Sequence, residues 1–194
     1  GQELPAYDPR GVQGHGLAYA TSNRGGCHLR AYIISPEVLG IPVKADRFST
    51  EGKGKLVKEM QDAFATIDSM VVCKFVTFAY YVDILAEQVS AVTGWDVTPE
   101  EFMKIGERIY NAERAFNVLA FSDGEEYDTL PKRLLEEPMP EGPSKGHVVK
   151  LKEMLPEYYA ARGWVKGRPT RAKLEELDLK WVADKLEEEG LLPA

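Results

Sequence analysis

Two cysteines, Cys27 and Cys73, and three histidines, His15, His28 and His147, are the residues best able to do chemistry in this sequence. Cys27 and His28 are neighbours in the glycine-rich turn Asn23-Arg24-Gly25-Gly26-Cys27-His28. Adjacent side chains usually diverge, so they make a poor nucleophile–base dyad, and a cysteine hydrolase using Cys27 is the weakest functional alternative. The histidines are scattered without metal-ligand spacing. Cys73 follows Asp68 in the run Asp68-Ser69-Met70-Val71-Val72-Cys73-Lys74-Phe75. Its apolar neighbours make a buried structural cysteine the plain reading, and Asp68 reads most simply as a helix cap for the segment after it. The functional alternative is a carboxylate that accepts hydrogen bonds from a ligand's amino groups, with a thiolate ligating metal a few residues on.

The elements that must position these residues are helical. Leu56, Met60, Phe64 and Ile67 recur at helical spacing from Lys53 onward. Phe75, Phe78, Val82, Leu85, Val89 and Val92 form a second apolar stripe that stops at Thr93-Gly94. Thr98-Pro99-Glu100-Glu101 combines an N-cap, a proline for the first helical position and a capping box. The helix it opens places Phe102, Ile105, Ile109, Ala112 and Phe116 on one face, and Glu107, Arg108, Glu113 and Arg114 read as a solvated face with local ion pairs. A short helix through Gly16 to Ser22, a turn at Pro131 to Glu136, a helix over Lys150 to Arg162 around Pro156, and a last helical segment capped by Thr170 complete the set. In that last segment Leu179, Val182 and Leu186 face inward before Gly190 stops it. No run shows the alternation of paired strands. The expected fold is mainly α and multihelical with long ordered loops, organised as a core (1–119), a strap (120–147) rich in turns such as Asp123-Gly124, and a carboxy-terminal helical appendage (148–194).

Composition narrows the function. The 194 residues carry 24 Lys and Arg against 31 Asp and Glu, a formal net charge of −7, which is not the electrostatic footprint of a nucleic-acid binder. Hydrophobic content of 44% and charged content of 28% suit a folded soluble chain. No stretch is apolar enough for a membrane span, and no signal peptide is visible, which points to the cytoplasm. Two cysteines suggest a reducing compartment and are too few for a thiolate-only zinc or iron–sulfur site. The first residue is Gly1 rather than Met, which suggests a piece of a longer protein. Phosphate-binding glycine loops, His-Glu-x-x-His and Gly-x-Ser-x-Gly are lacking.

At these same residues the sequence resembles the carboxy-terminal domain of the tungsten-containing aldehyde ferredoxin oxidoreductases, with the formaldehyde-type members as the subgroup the resemblance suggests. The resemblance is carried by Glu3 through Gly11, Ala20 through Arg30, Asp68 through Phe75, Gly106 through Asn111 with Glu113-Arg114 and Phe116-Asn117, and Asp128 through Arg133. Gly146 through Val149 and Tyr158 through Trp164 extend it. It implies an oxidoreductase that converts aldehydes to carboxylic acids with water and passes electrons to ferredoxin. The implied cofactors of the full-length enzyme are tungsten held by two pterins and a four-iron four-sulfur cluster.

Residue by residue, the resemblance implies that Cys73 is the fourth cluster ligand, that Asp68 binds pterin as the carboxylate of an Asp-x-x-Gly-Leu-Cys/Asp motif, and that His28 is a proton donor or acceptor near the metal. Asn23, Arg24, Asp8 and Arg10 fall in matching segments and carry a weaker expectation of lining the site. Two departures stand out. Val71-Val72 replaces Gly-Leu in the motif, and Val118 through Asp123 lacks the arginine-rich loop of the resembled segment. The amino-terminal cofactor-platform domain, with its Cys-x2-Cys-x3-Cys ligands, is not in this sequence, so the isolated chain is expected to bind neither cluster nor tungsten and to be inactive alone. The expected partners are the amino-terminal remainder of the polypeptide, ferredoxin, a small aldehyde and further copies of the full-length chain. A stand-alone helical binding or assembly module is the alternative.

Overall fold

Helix α2 (Lys53–Ser69) is the element on which the first, fourth and sixth helices pack in the computed structural model, which describes residues 3–122 and 124–193. The chain enters through a 3-10 turn (Pro9–Gly11) and α1 (Gln13–Ala20), runs through a loop containing a 3-10 turn (His28–Arg30) and a π-helical turn (Ser35–Leu39), and then forms α2. A 3-10 turn (Lys74–Phe78), α3 (Val82–Thr93), α4 (Pro99–Phe121), α5 (Lys132–Glu136) and α6 (Leu151–Arg162) follow. The two-residue strands β1 (Trp164–Val165) and β2 (Arg168–Pro169) pair antiparallel, and α7 (Arg171–Glu176) and α8 (Lys180–Glu188) close the chain. The mainly α expectation is met. No helix among the described residues is long and apolar enough to cross a membrane.

Local sequence explains the helix ends. The Thr98 hydroxyl accepts the Glu101 amide at 3.2 Å and Pro99 opens α4. Gly94 and Gly163 end α3 and α6 in the left-handed conformation. Thr170 caps α7 through the Lys173 amide. Four boundaries differ from the periodicity. The first helix starts at Gln13 rather than Gly16. The stripe from Phe75 to Val92 is not one helix but a 3-10 turn and α3, separated near Ala79–Tyr81. Pro156 lies inside α6. The last segment divides into α7 and α8 around Leu177–Leu179, with Leu179, Val182 and Leu186 buried as expected. The expected turn at Asp123-Gly124 lies partly outside the described residues.

Helices α2 and α4 meet backbone to backbone. A Cβ on Gly106 would stand 1.8 Å from the Asp62 carbonyl oxygen, so only glycine fits there. The buried side of α4 is Phe102, Gly106, Tyr110, Arg114, Ala115 and Val118, whereas Phe116 is exposed, so the expected face is rotated. The expectation of a solvated charged face is corrected with it. Arg114 is buried and grips the buried Asp128 with two 2.8 Å hydrogen bonds. Arg162 of α6 is fully buried, pairs with Asp62 of α2 and lies over the Tyr110 ring at 4.2 Å. Gln13 ties α1 to the segment before α6 by bonding the Val148 carbonyl and the Lys150 amide, both at 2.8 Å. The result is a rigid support under one surface, formed by residues 22–32 and 68–78.

Candidate functional site

Asp68 is on the last turn of α2 rather than capping the following segment, which corrects its simplest reading. Its carboxylate accepts Arg30 at 2.8 Å and Lys74 at 2.9 Å. Arg30 also pairs with Glu113 of α4, and the Lys74 ammonium donates to the Leu29 carbonyl. The loop bearing His28 is thereby laced to the turn bearing Cys73 by charges of both signs. Burial lowers the Lys74 pKa even though Asp68 opposes it. About a third of the Asp68 side chain stays open, at 31% exposure, so the carboxylate has room to accept further donors.

Cys73 is exposed, not buried, and this overturns the structural reading of its apolar neighbours. Val71, at 92% exposure, and Phe75 are exposed with it. Val71 also has φ of 57°, the left-handed region that a β-branched residue rarely enters. The backbone thus keeps a glycine-like conformation at the position where glycine is replaced by valine. Cys27, in contrast, is buried and accepts a hydrogen bond from Arg24 at 3.1 Å, which removes the access a hydrolytic nucleophile needs.

His28 sits half-buried beside aromatic rings. Tyr7 lies 5.1 Å away and Tyr32 6.1 Å away between ring centroids. Tyr32 continues to Phe75 at 6.3 Å and Phe78 at 5.8 Å, so aromatic contacts run from His28 to the Cys73 turn. Burial, then the charges of Arg24 and Lys74, lower the His28 pKa, which leaves a neutral imidazole able to accept a proton. His28 Nδ1 is buried with no hydrogen-bond partner among the described residues.

The remaining expected positions separate. Asp8 and Arg10 are tied to each other, at 2.6 Å, and Arg10 also bonds the Glu137 carbonyl, so both serve the loop rather than a ligand. Asn23 donates to the Tyr110 carbonyl at 3.0 Å, and its Oδ1 has no partner among the described residues. Asn23 and Arg24 line a polar cleft of about 460 Å³ with Tyr19, Ser22, Asn117 and Tyr127 among its walls; His28, Asp68 and Cys73 are outside it. Sequence reasoning passed over Arg30, Lys74, Glu113, Tyr7 and Tyr32. Arg30 and Lys74 lie within two residues of His28 and Cys73, and that proximity was the available signal.

The donor set suits the expected groups in part. An exposed thiol is a soft iron ligand, and a half-open carboxylate suits ring N–H and amine donors. Among the described residues no group of three or more His, Cys, Asp or Glu could hold a metal, so Cys73 can supply one ligand and no more.

The helical scaffold carries an exposed thiol beside a half-open carboxylate, and the chain belongs to the aldehyde ferredoxin oxidoreductase family. The family profile described as aldehyde ferredoxin oxidoreductase, domains 2 & 3, matches residues 1–179. Among its relatives, the chain is 58% identical over 181 residues to a tungsten-containing aldehyde ferredoxin oxidoreductase of Pyrococcus abyssi, and 56% identical over 179 residues to that of Pyrococcus furiosus. These matches cover 92% and 91% of this chain and 30% of each relative, so the chain spans about a third of their length. Its fold is also similar, with a TM-score of 0.63 and 21% identity, to a chain of the active-site complex BamBC of benzoyl coenzyme A reductase in complex with 1,5-dienoyl-CoA; the match covers 80% of this chain and 23% of that one.

Proposed function

We propose that this chain is the part of a tungstopterin aldehyde:ferredoxin oxidoreductase that supplies one cluster thiolate, a pterin-binding carboxylate and a proton-accepting histidine. The observation that carries the reading is the 58% identity over 92% of the chain to a relative named for tungsten and for this reaction. The geometry supports it, because the thiol, the carboxylate and the neutral imidazole stand on two surface segments that Arg30 and Lys74 lace together.

Oxidation of an aldehyde with water gives a carboxylic acid, two protons and two electrons. Tungsten, pterins and an iron–sulfur cluster, when bound, would supply the electron-accepting and one-electron relay chemistry that this chain's residues lack. This chain's own residues bind, orient and move protons. Asp68, held in place by Arg30 and Lys74, receives pterin N–H donors on its open side. Cys73 would hold an iron of the cluster through its thiolate. His28, kept neutral by burial and by the cations near it, accepts a proton released from the substrate. Asn23 and Arg24 border the neighbouring cleft. The remaining ligands come from the amino-terminal remainder of the polypeptide. The full-length protein acts in the cytoplasm, as an oligomer, on a small aldehyde.

The test uses the full-length enzyme. Cys73→Ala should abolish the normal four-iron cluster spectrum while Cys27→Ala leaves it intact. His28→Ala should lower turnover with tungsten still bound. A normal cluster spectrum in the Cys73 variant removes that residue as a ligand, and unchanged turnover removes His28 from the reaction.

A further inference from the structure

His15 lies on α1 with no exposed surface. Its ring packs edge to face against Tyr19 at 4.5 Å and Tyr7 at 5.9 Å, and neither nitrogen has a hydrogen-bond partner among the described residues. Burial, with a smaller push from His28, lowers its pKa to about 3, so the ring is neutral at physiological pH. A buried polar group without a partner destabilises a fold, and an apolar side chain would fill the same space without that cost. Packing alone therefore argues against histidine at this position.

Tyr7 connects His15 to the surface. One side of it meets His15, and His28 lies 5.1 Å from its ring centroid. The Tyr19 hydroxyl donates to the Tyr7 carbonyl at 3.3 Å, and the Asp8–Arg10 pair anchors the chain immediately after it. Tyr7 is thus held between a deep imidazole and a half-exposed one. We propose that His15 is a positioning residue of the His28 site: its polar ring sets Tyr7, and Tyr7 sets the orientation of His28. The inference rests on the reading of His28 as the proton acceptor.

The full-length enzyme tests it. His15→Phe and His15→Leu should melt at or above the wild-type temperature, keep their tungsten and iron, and lose kcat by about tenfold with KM changed by less than about twofold. His15→Gln, which restores a polar group, should recover most of that loss. In a His28→Ala background, His15→Phe should cost nothing further, because His15 acts only through His28. Wild-type kcat in both apolar variants, a change in KM alone, failure of His15→Gln to recover activity, or additive losses in the double variant would overturn the proposal. Loss of fold or metals in both apolar variants would overturn it too, by making the role structural. If His28→Ala is itself silent, the proton-acceptor reading falls and this inference with it. If His28→Ala slows the enzyme and the His15 variants do not, this inference alone falls.

Discussion

Val71 is held in the left-handed conformation with a β-branched side chain that touches almost nothing, at φ of 57° and 92% exposure. Such a residue stores strain of about 1–3 kcal/mol, and glycine at the same φ/ψ relieves it at an entropic cost of about 0.5–1 kcal/mol. Val71→Gly should therefore stabilise the chain by about 1 kcal/mol in chemical denaturation, with little burial lost. A destabilised variant would mean that the valine side chain is packed rather than exposed. The same residue shows where sequence reading stops. The departure from glycine was visible, but whether the backbone would abandon the left-handed turn was not, because that depends on how Asp68 and Lys74 are fixed by Arg30 and the Leu29 carbonyl from another segment. Cys73 teaches the same lesson. Apolar neighbours mark a stretch that avoids water, but they do not say whether this chain covers it.

At the scale of elements, the α4 cap was legible because Thr98, Pro99 and Glu101 act on their own backbone, whereas the buried face of α4 was not. Arg114 reads as a surface charge until Asp128, fourteen residues on, returns to neutralise it. Gly106 reads as an interruption in a helix, yet it is the point at which α2 and α4 come close. Because a Cβ there would meet the Asp62 carbonyl carbon at 2.5 Å and its oxygen at 1.8 Å, backbone rather than a flexible side chain would have to yield. Gly106→Ala should cost about 3 kcal/mol, at the upper end of the usual range for overpacking and well above any gain in helix propensity. Denaturant unfolding of the wild type and variant reads the difference directly. A change below about 0.5 kcal/mol would mean that the helices are not in backbone contact. The consequence reaches the site, since α2 carries Asp68 and α4 carries Glu113, and Arg30 bridges the two.

At the scale of the molecule, the surface around Cys73 is apolar and open to solvent. Val71, Val72, Phe75, Tyr80 and Tyr81 are exposed along one segment beside a single exposed thiol. Contiguous apolar surface beyond a few hundred Å² marks an interaction site. One thiolate cannot hold an iron–sulfur cluster, and the relatives are about three times longer than this chain. On the proposed reading, further polypeptide in the full-length protein covers this face and brings the other ligands. The isolated 194-residue chain should then bind an apolar fluorescent dye and contain no stoichiometric iron or tungsten, whereas the full-length protein should contain both and lose the dye signal. Phe75→Asp separates this from general stickiness. In the isolated chain it should reduce dye binding without changing the circular dichroism, because Phe75 is 59% exposed and supports no core. On the proposed reading, the same change in the full-length protein would bury an unpaired carboxylate beside the cluster and should lower iron content. Full iron in that variant would show that the face is not covered, and stoichiometric iron in the isolated chain would show that the site is not divided.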